Sequence, residues 1–94
     1  MVKGELVSDR ITASGYREVT TCIGFIIAFI YGKGHFGAHE VTLLANGDWT
    51  NAFTHPRIYN TIKSANMRMK QLQANTKVEL YTRPYMHLKY TKVK

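Results

Sequence analysis

The sequence predicts an α+β fold, an antiparallel sheet of four to five strands with one long helix packed on one face, in the order β-β-β-α-β. Three observations predict it. Residues 22–31 (CIGFIIAFIY) form an apolar run, Asn46-Gly47 separates two short apolar stretches, and apolar residues recur at helical spacing between Pro56 and Ala74. The chain has 94 residues, 45% of them hydrophobic, which suffices for one core. A single basic domain over residues 1–94 is expected.

The apolar run from Cys22 to Tyr31 is the expected central strand, buried on both faces. It holds four isoleucines and three aromatic residues, types that favour strands. It is too short to cross a membrane as a helix, which takes roughly 20 apolar residues. A shorter strand is predicted between Glu5 and Ile11, followed by a turn at residues 13–15.

Two further strands are expected on either side of a hairpin turn. Val41 to Leu44 predicts the first, after a glycine-rich stretch at residues 32–37. Asn and Gly both tolerate positive φ, so Asn46-Gly47 predicts a type I′ turn. Trp49 to Phe53 is the expected returning strand, which completes a meander of three antiparallel strands.

The helix is predicted over Pro56–Ala74, with Thr54 as its N-cap and Asn75 as its C-cap. One face carries the apolar residues expected to cover the sheet: Ile58, Ile62, Ala65, Met69 and Leu72. The other face carries only neutral and positive side chains: Arg57, Lys63, Asn66, Arg68, Lys70, Gln71 and Gln73. Solvated helices usually mix charge signs. An acid-free outer face therefore indicates an anionic partner.

The C-terminal residues predict a strand at 78–82 and an edge or bend at Pro84. Beyond it the sequence alternates, with Met86, Leu88 and Tyr90 on one side. Tyr85, His87, Lys89 and Thr91 lie on the other side. Alternative interpretations place Tyr81 and Tyr90 in the core and make Lys92 and Lys94 a frayed tail.

The charge of +7 is concentrated in the second half of the chain. Residues 1–48 hold four Lys or Arg against five Asp or Glu, whereas residues 49–94 hold nine against Glu79 alone. Phosphate backbones are the commonest anionic partners of such a surface, and interleaved aromatic rings allow bases to stack. These observations predict a continuous nucleic-acid-binding patch made of Arg57, Lys63, Arg68, Lys70, Arg83, Tyr85 and Lys89.

Other chemistry is less well supported by the spacing of the residues. Residues 32–37 match G-x-G-x-x-G, but a predicted strand and hairpin follow them where a dinucleotide site needs a helix, so a flexible or contact loop is expected. His35, His39, Glu40 and His55 share no fixed helical face, so neither a metal nor a cofactor is expected. Nothing in the spacing pairs a base with a nucleophile, which argues against an enzyme.

The order of elements resembles small accessory proteins of tailed phages over residues 17–81. The resemblance lies in a strand, a turn before Trp49-Thr50 and Ala52-Phe53, a capped helix and a Val-Glu-Leu strand. Size and charge are similar to the TifA family of T-even phages, RNA-binding inhibitors of a type III toxin–antitoxin endoribonuclease. The resemblance implies a counter-defence protein that traps the nuclease on RNA. It assigns no individual site residue.

The predicted function is a non-catalytic, phage-encoded RNA-binding protein that inhibits or sequesters a host defence endoribonuclease through RNA. The first ten residues lack the apolar core of a signal peptide, so a cytoplasmic protein without a membrane partner is expected. Homodimerisation through sheet edges or helices is compatible with the small size. The alternative is a basic interaction module that masks an acidic host protein without nucleic acid. The residues do not distinguish RNA from DNA.

Overall fold

The computed structural model describes residues 1–50 and 55–93, which form an α+β fold with a five-stranded antiparallel sheet. The strands are β1 (Leu6–Ile11), β2 (Tyr16–Tyr31), β3 (His39–Leu43), β4 (Trp49–Thr50) and β5 (Tyr81–Lys92). Helix α1 spans Ile62–Gln73. The predicted fold class is confirmed, although the order β-β-β-β-α-β has one more strand and the helix is short.

Strand β2 is the centre of the sheet, as predicted, and it is longer than the apolar run alone. One edge pairs with β5 from Tyr16 to Ala28. The other edge is shared, because β1 pairs with residues 17–21 and β3 with residues 28–31. Every other strand except β4 therefore hydrogen-bonds directly to β2.

Helix α1 packs on one face of the sheet and supplies the main core. Ala65 is fully buried against Cys22 and Phe25. Farther along, Met69 and Leu72 pack on a cluster of Ile27, Leu43 and Leu80, together with Phe29 and Trp49. The predicted apolar face is thus confirmed for Ala65, Met69 and Leu72, whereas Ile62 is 40% exposed. Cys22 is buried, where a free cysteine packs as a small hydrophobic residue.

The helix begins six residues later than predicted, because residues 56–60 join the sheet instead. The Arg57 N–H donates to the Leu43 carbonyl at 2.7 Å, and Tyr59 exchanges two backbone hydrogen bonds with Phe25, each 2.8 Å long. These residues fill the gap between β1 and β3 on the edge of β2. The helix N-cap is Thr61, whose hydroxyl accepts from the Ser64 N–H at 3.1 Å.

Gly24 is the residue of β2 against which Ile58 and Tyr59 pack closely. It lies at a bulge in the β2–β5 pairing and has φ +150°. A Cβ placed on Gly24 would lie 2.3 Å from the Ile58 Cγ2 atom and 2.7 Å from the Tyr59 carbonyl oxygen. Only glycine fits this contact without displacing its neighbours.

Three sequence predictions about turns and caps are corrected or fall outside the described residues. A type I′ turn needs positive φ at both central residues, but Gly47 has positive φ and Asn46 does not, so the predicted turn type is wrong. The Gly47 N–H donates to the Leu44 carbonyl, as in a three-residue loop. The C-cap is Ala74 rather than Asn75. The predicted N-cap Thr54 and the end of the returning strand, Ala52-Phe53, lie outside the described residues.

Strand β5 is an edge strand that runs through Pro84 without a break. Phe25, the cross-strand partner of Pro84, directs its backbone hydrogen bonds to Tyr59 on the opposite edge. The missing N–H of Pro84 therefore faces the free edge of β5 and costs no sheet hydrogen bond. Thr82, on the helix-facing side of β5, donates its hydroxyl to the Asn66 carboxamide at 2.6 Å.

The N-terminal end of β2 forms a three-stranded arm with β1 and the C-terminal end of β5. Apolar side chains are exposed on both faces of this arm, among them Leu6 and Ile11 on one face and Tyr16, Leu88 and Tyr90 on the other. The chain is accordingly elongated, with extents of 51 × 32 × 22 Å.

Candidate nucleic-acid interface

Ion pairs decide which cations remain available to a ligand. Among the described residues, four acids neutralise four cations: Glu18 pairs with Arg10, Asp9 with Arg17, Glu79 with Lys33 and Glu40 with Arg83. Three of these pairs lie within the sheet, and Lys33–Glu79 is an exposed contact of 3.6 Å. The excess positive charge therefore lies elsewhere on the molecule.

Among the described residues, eight cations form no ion pair with an acid, and four of them lie on or beside the helix; the other four are Lys3, Lys77, Lys89 and Lys92. We use the name helix-side cationic surface for Arg57, Lys63, Arg68 and Lys70, all of which are exposed. No Asp or Glu occurs between Trp49 and Val78. Within the described parts of the chain, none of the four forms an ion pair with an acid. Their mutual repulsion is therefore relieved only by solvent or by an anionic ligand.

Two of these cations share a groove between the β3–β4 turn and the helix, which we call the arginine groove. Arg57 and Arg68 line it together with Leu43, Leu44, Tyr59 and Leu72, around a volume of about 360 Å³. The Arg57 guanidinium lies over the Tyr59 ring, 5.3 Å from its centroid. The Arg68 Nη1 atom donates to the Gln71 Oε1 atom at 3.0 Å. Lys63 and Lys70 point outward on the helix and do not line the groove.

Arg83, also a predicted phosphate contact, is held in a polar cluster on the sheet face away from the helix. Its Nε and Nη2 atoms donate to the two oxygens of Glu40 at 2.8 and 2.6 Å. The Tyr81 hydroxyl donates to the same carboxylate. The hydrogen bond from Arg83 lowers the pKa of Glu40, while burial and the bond to Glu40 raise the pKa of Tyr81 to about 12. The charge of Arg83 is thus largely neutralised within the fold.

Tyr85 and Lys89 lie on the same face of β5 as Arg83, since side chains alternate along a strand. Tyr85 is half-buried, with the Arg83 guanidinium 5.9 Å from its ring centroid, and Lys89 is exposed. The predicted alternation of side chains along β5 is confirmed, but it places Tyr85 and Lys89 on the sheet face opposite the helix. The seven predicted residues therefore do not form one continuous patch. They divide into the helix-side cationic surface and a group on the other side in which Glu40 neutralises Arg83 but, among the described residues, no acid pairs with Lys89.

The histidines and the glycine loop form no assembled site. No group of three or more His, Cys, Asp or Glu side chains is placed to hold a metal within residues 1–50 and 55–93. His39 packs near the Tyr31 ring at 5.3 Å, and its Nδ1 atom lies 3.2 Å from the Gly37 carbonyl. Residues 32–37 form turns that join β2 to β3.

Tyr59 is the site residue that the sequence pattern does not reveal. The pattern predicts it inside a helix, whereas it lies in an extended segment and forms part of the groove wall. Thr61, a residue type preferred at the N-cap position, is the signal in the sequence for a later helix start.

Comparison with known proteins gives no relative. No family model matches the chain, and neither the curated proteins nor the solved structures give a significant match. Among the residues that the structure describes, no helix is long and apolar enough to cross a membrane.

Proposed function

We propose that this protein is a non-catalytic RNA-binding protein whose contact surface is the helix-side cationic surface. The observation that carries the proposal is the distribution of ion pairs. Within the described residues, Arg57, Lys63, Arg68 and Lys70 are exposed and unpaired in a stretch without any acid, whereas Arg10, Arg17, Lys33 and Arg83 are each paired with an acid. Lys3, Lys77, Lys89 and Lys92 also lack an acid partner there but lie outside residues 57–70. A set of four unopposed cations attracts a phosphate backbone.

Binding of this kind is mainly electrostatic and tolerant of sequence. Lys63 and Lys70 are long side chains on the outer face of one helix, suited to phosphates rather than to base edges. Tyr59 beside Arg57 supplies an aromatic group, which favours a single strand with accessible bases over a duplex.

The biological role we propose is counter-defence. The protein, phage-encoded and acting in the host cytoplasm, inhibits or sequesters a toxin endoribonuclease by holding it on RNA. The support for this role is the similarity of size and charge to T-even phage inhibitors of that class, together with an element order that resembles small accessory proteins of tailed phages.

The first experiment measures affinity for a labelled single-stranded RNA across a salt series. Four phosphate contacts predict a slope of log K against log salt of roughly −3, at about 0.7 per contact. The double variant K63E/K70E is expected to weaken binding at least about tenfold and to lower the slope by about 1.4. K89E/K92E changes the net charge by the same amount in β5 and serves as the matched control.

Equal losses in the two double variants would contradict an interface on the helix side. Absence of binding even at low salt would remove nucleic acid from the proposal. In that case, retention of an acidic host protein from nuclease-treated lysate would favour the masking alternative. The counter-defence role is tested by cleavage assays with a type III toxin endoribonuclease, in which inhibition is expected only when RNA long enough to bind both proteins is present.

A further inference from the structure

The arginine groove differs from the rest of the helix-side cationic surface because it is concave and its parts are held by the backbone. Arg57 is fixed by its bond to the Leu43 carbonyl, and Tyr59 by its two bonds to Phe25. Arg68 reaches the same groove from the helix. Two arginines from separate elements thus line one space of about 360 Å³.

The chemistry of the groove fits a group that is anionic at one end and flat and apolar at the other. Guanidinium groups bind phosphate in two-point geometry, and the single bond from Arg68 to Gln71 uses one of its five N–H donors. Leu44 and Leu72 provide an apolar wall beside the Tyr59 ring, over which the Arg57 guanidinium lies. The volume lies at the lower end of the range for small-ligand sites, roughly 300–1,000 Å³, which suits one nucleotide.

We infer that the arginine groove is a mononucleotide subsite, with a phosphate between Arg57 and Arg68 and its base against the apolar wall. This inference rests on the proposed RNA binding and deepens it. The groove holds one nucleotide in a defined place, whereas Lys63 and Lys70 contact the flanking phosphates without fixing them. A single nucleotide therefore binds the groove without needing the outer lysines.

The test is a titration of the full chain with uridine 5′-monophosphate at low salt. Binding is monitored through the NMR chemical shifts of the backbone amides. Changes are expected at residues 43–47, 57–59 and 68–72. The variant R57Q/R68Q is expected to weaken nucleotide binding about tenfold or more, since it removes two charge-assisted contacts. K63Q/K70Q removes the same charge and is expected to leave nucleotide binding unchanged while weakening binding of the long RNA.

Uridine and inorganic phosphate, used separately, test the two ends of the site. Each is expected to bind at least about tenfold more weakly than the nucleotide. Phosphate binding as tight as the nucleotide would overturn the base contact. R57K tests geometry, because it keeps the charge but loses the planar fork and is expected to bind the nucleotide more weakly than wild type. Urea midpoints of all variants establish that they fold.

The two proposals fail in different ways. If K63E/K70E abolishes RNA binding and R57Q/R68Q binds nucleotide like wild type, the subsite is refuted and the proposed function stands. If long RNA does not bind at all but the nucleotide binds through the two arginines, the RNA-binding function is refuted and the groove remains a nucleotide site.

Discussion

Replacing Gly24 by alanine is expected to cost a large part of the stability of the fold. The positive φ of +150° costs a non-glycine residue about 1–3 kcal/mol. The new Cβ would also lie 2.3 Å from Ile58 and 2.7 Å from the Tyr59 carbonyl, and relieving such overpacking costs about 1–3 kcal/mol more. The sum, about 2–6 kcal/mol, compares with a total of about 5–15 kcal/mol for a native domain.

Urea unfolding followed by circular dichroism measures this loss. With a slope of about 1 kcal/mol per molar urea, a loss of about 3 kcal/mol lowers the midpoint by about 3 M. Gly15→Ala is the matched control, because Gly15 also has positive φ, +86°, but a methyl group added there would meet nothing within 4 Å. The control is expected to lose about 1–2 kcal/mol.

Equal losses in Gly24→Ala and Gly15→Ala would refute the close contact at Gly24. If Gly24→Ala fails to fold, the double variant G24A/I58A decides the matter, because it removes the Cγ2 atom nearest the new methyl group. The expected result is that the double variant shows a cooperative urea transition that Gly24→Ala alone lacks.

Two other predictions concern the polar cluster and the helix start. Glu40→Gln is expected to cost about 1 kcal/mol at neutral pH, since the pair with Arg83 is partly exposed. The folded-state pKa of Glu40 is below 4.5, so its contribution to the free energy of unfolding is present above that pH and is lost as the pH falls through the lowered value. Urea midpoints of the variant should therefore fall less steeply with acid than those of the wild type. The pKa of Tyr81, about 12 in the wild type, should move toward 10.0 in the variant, as followed by phenolate absorbance. Unchanged titration in the variant would contradict the Tyr81 hydrogen bond. Thr61→Ala removes the N-cap and is expected to lower the free energy of unfolding by about 1 kcal/mol, measured with urea. Thr76→Ala, just beyond the end of the helix, should lower it by less. Equal losses would argue against a cap at Thr61.

The sequence predicts those features of the fold that depend on local pattern. The apolar run in β2, the helical spacing after Ile62 and the alternation in β5 each require only neighbouring residues to be recognised. The predicted helix start is wrong because residues 56–60 owe their extended form to hydrogen bonds with Phe25 and Leu43, which are distant in sequence.

The candidate site is predictable in its residue types but not in its grouping. Spacing alone places Lys63 and Lys70 on the outer face of the helix. The alternation in β5 does not reveal which face the helix covers, so the sequence groups Arg83 with the helix cations. Its actual partner, Glu40, lies 43 residues away in the chain and pairs with it only after β3 and β5 have both joined β2.

The length of β2 has a consequence for how the molecule opens. Residues 25–28 of this strand are buried in the core, whereas residues 16–21 lie in the arm and are exposed or half-buried. Local opening of the arm exposes little additional apolar surface, so it requires less free energy than unfolding the core. We therefore expect the amide protons of residues 18–21 to exchange with solvent faster than those of residues 25–28, although both sets belong to one continuous strand.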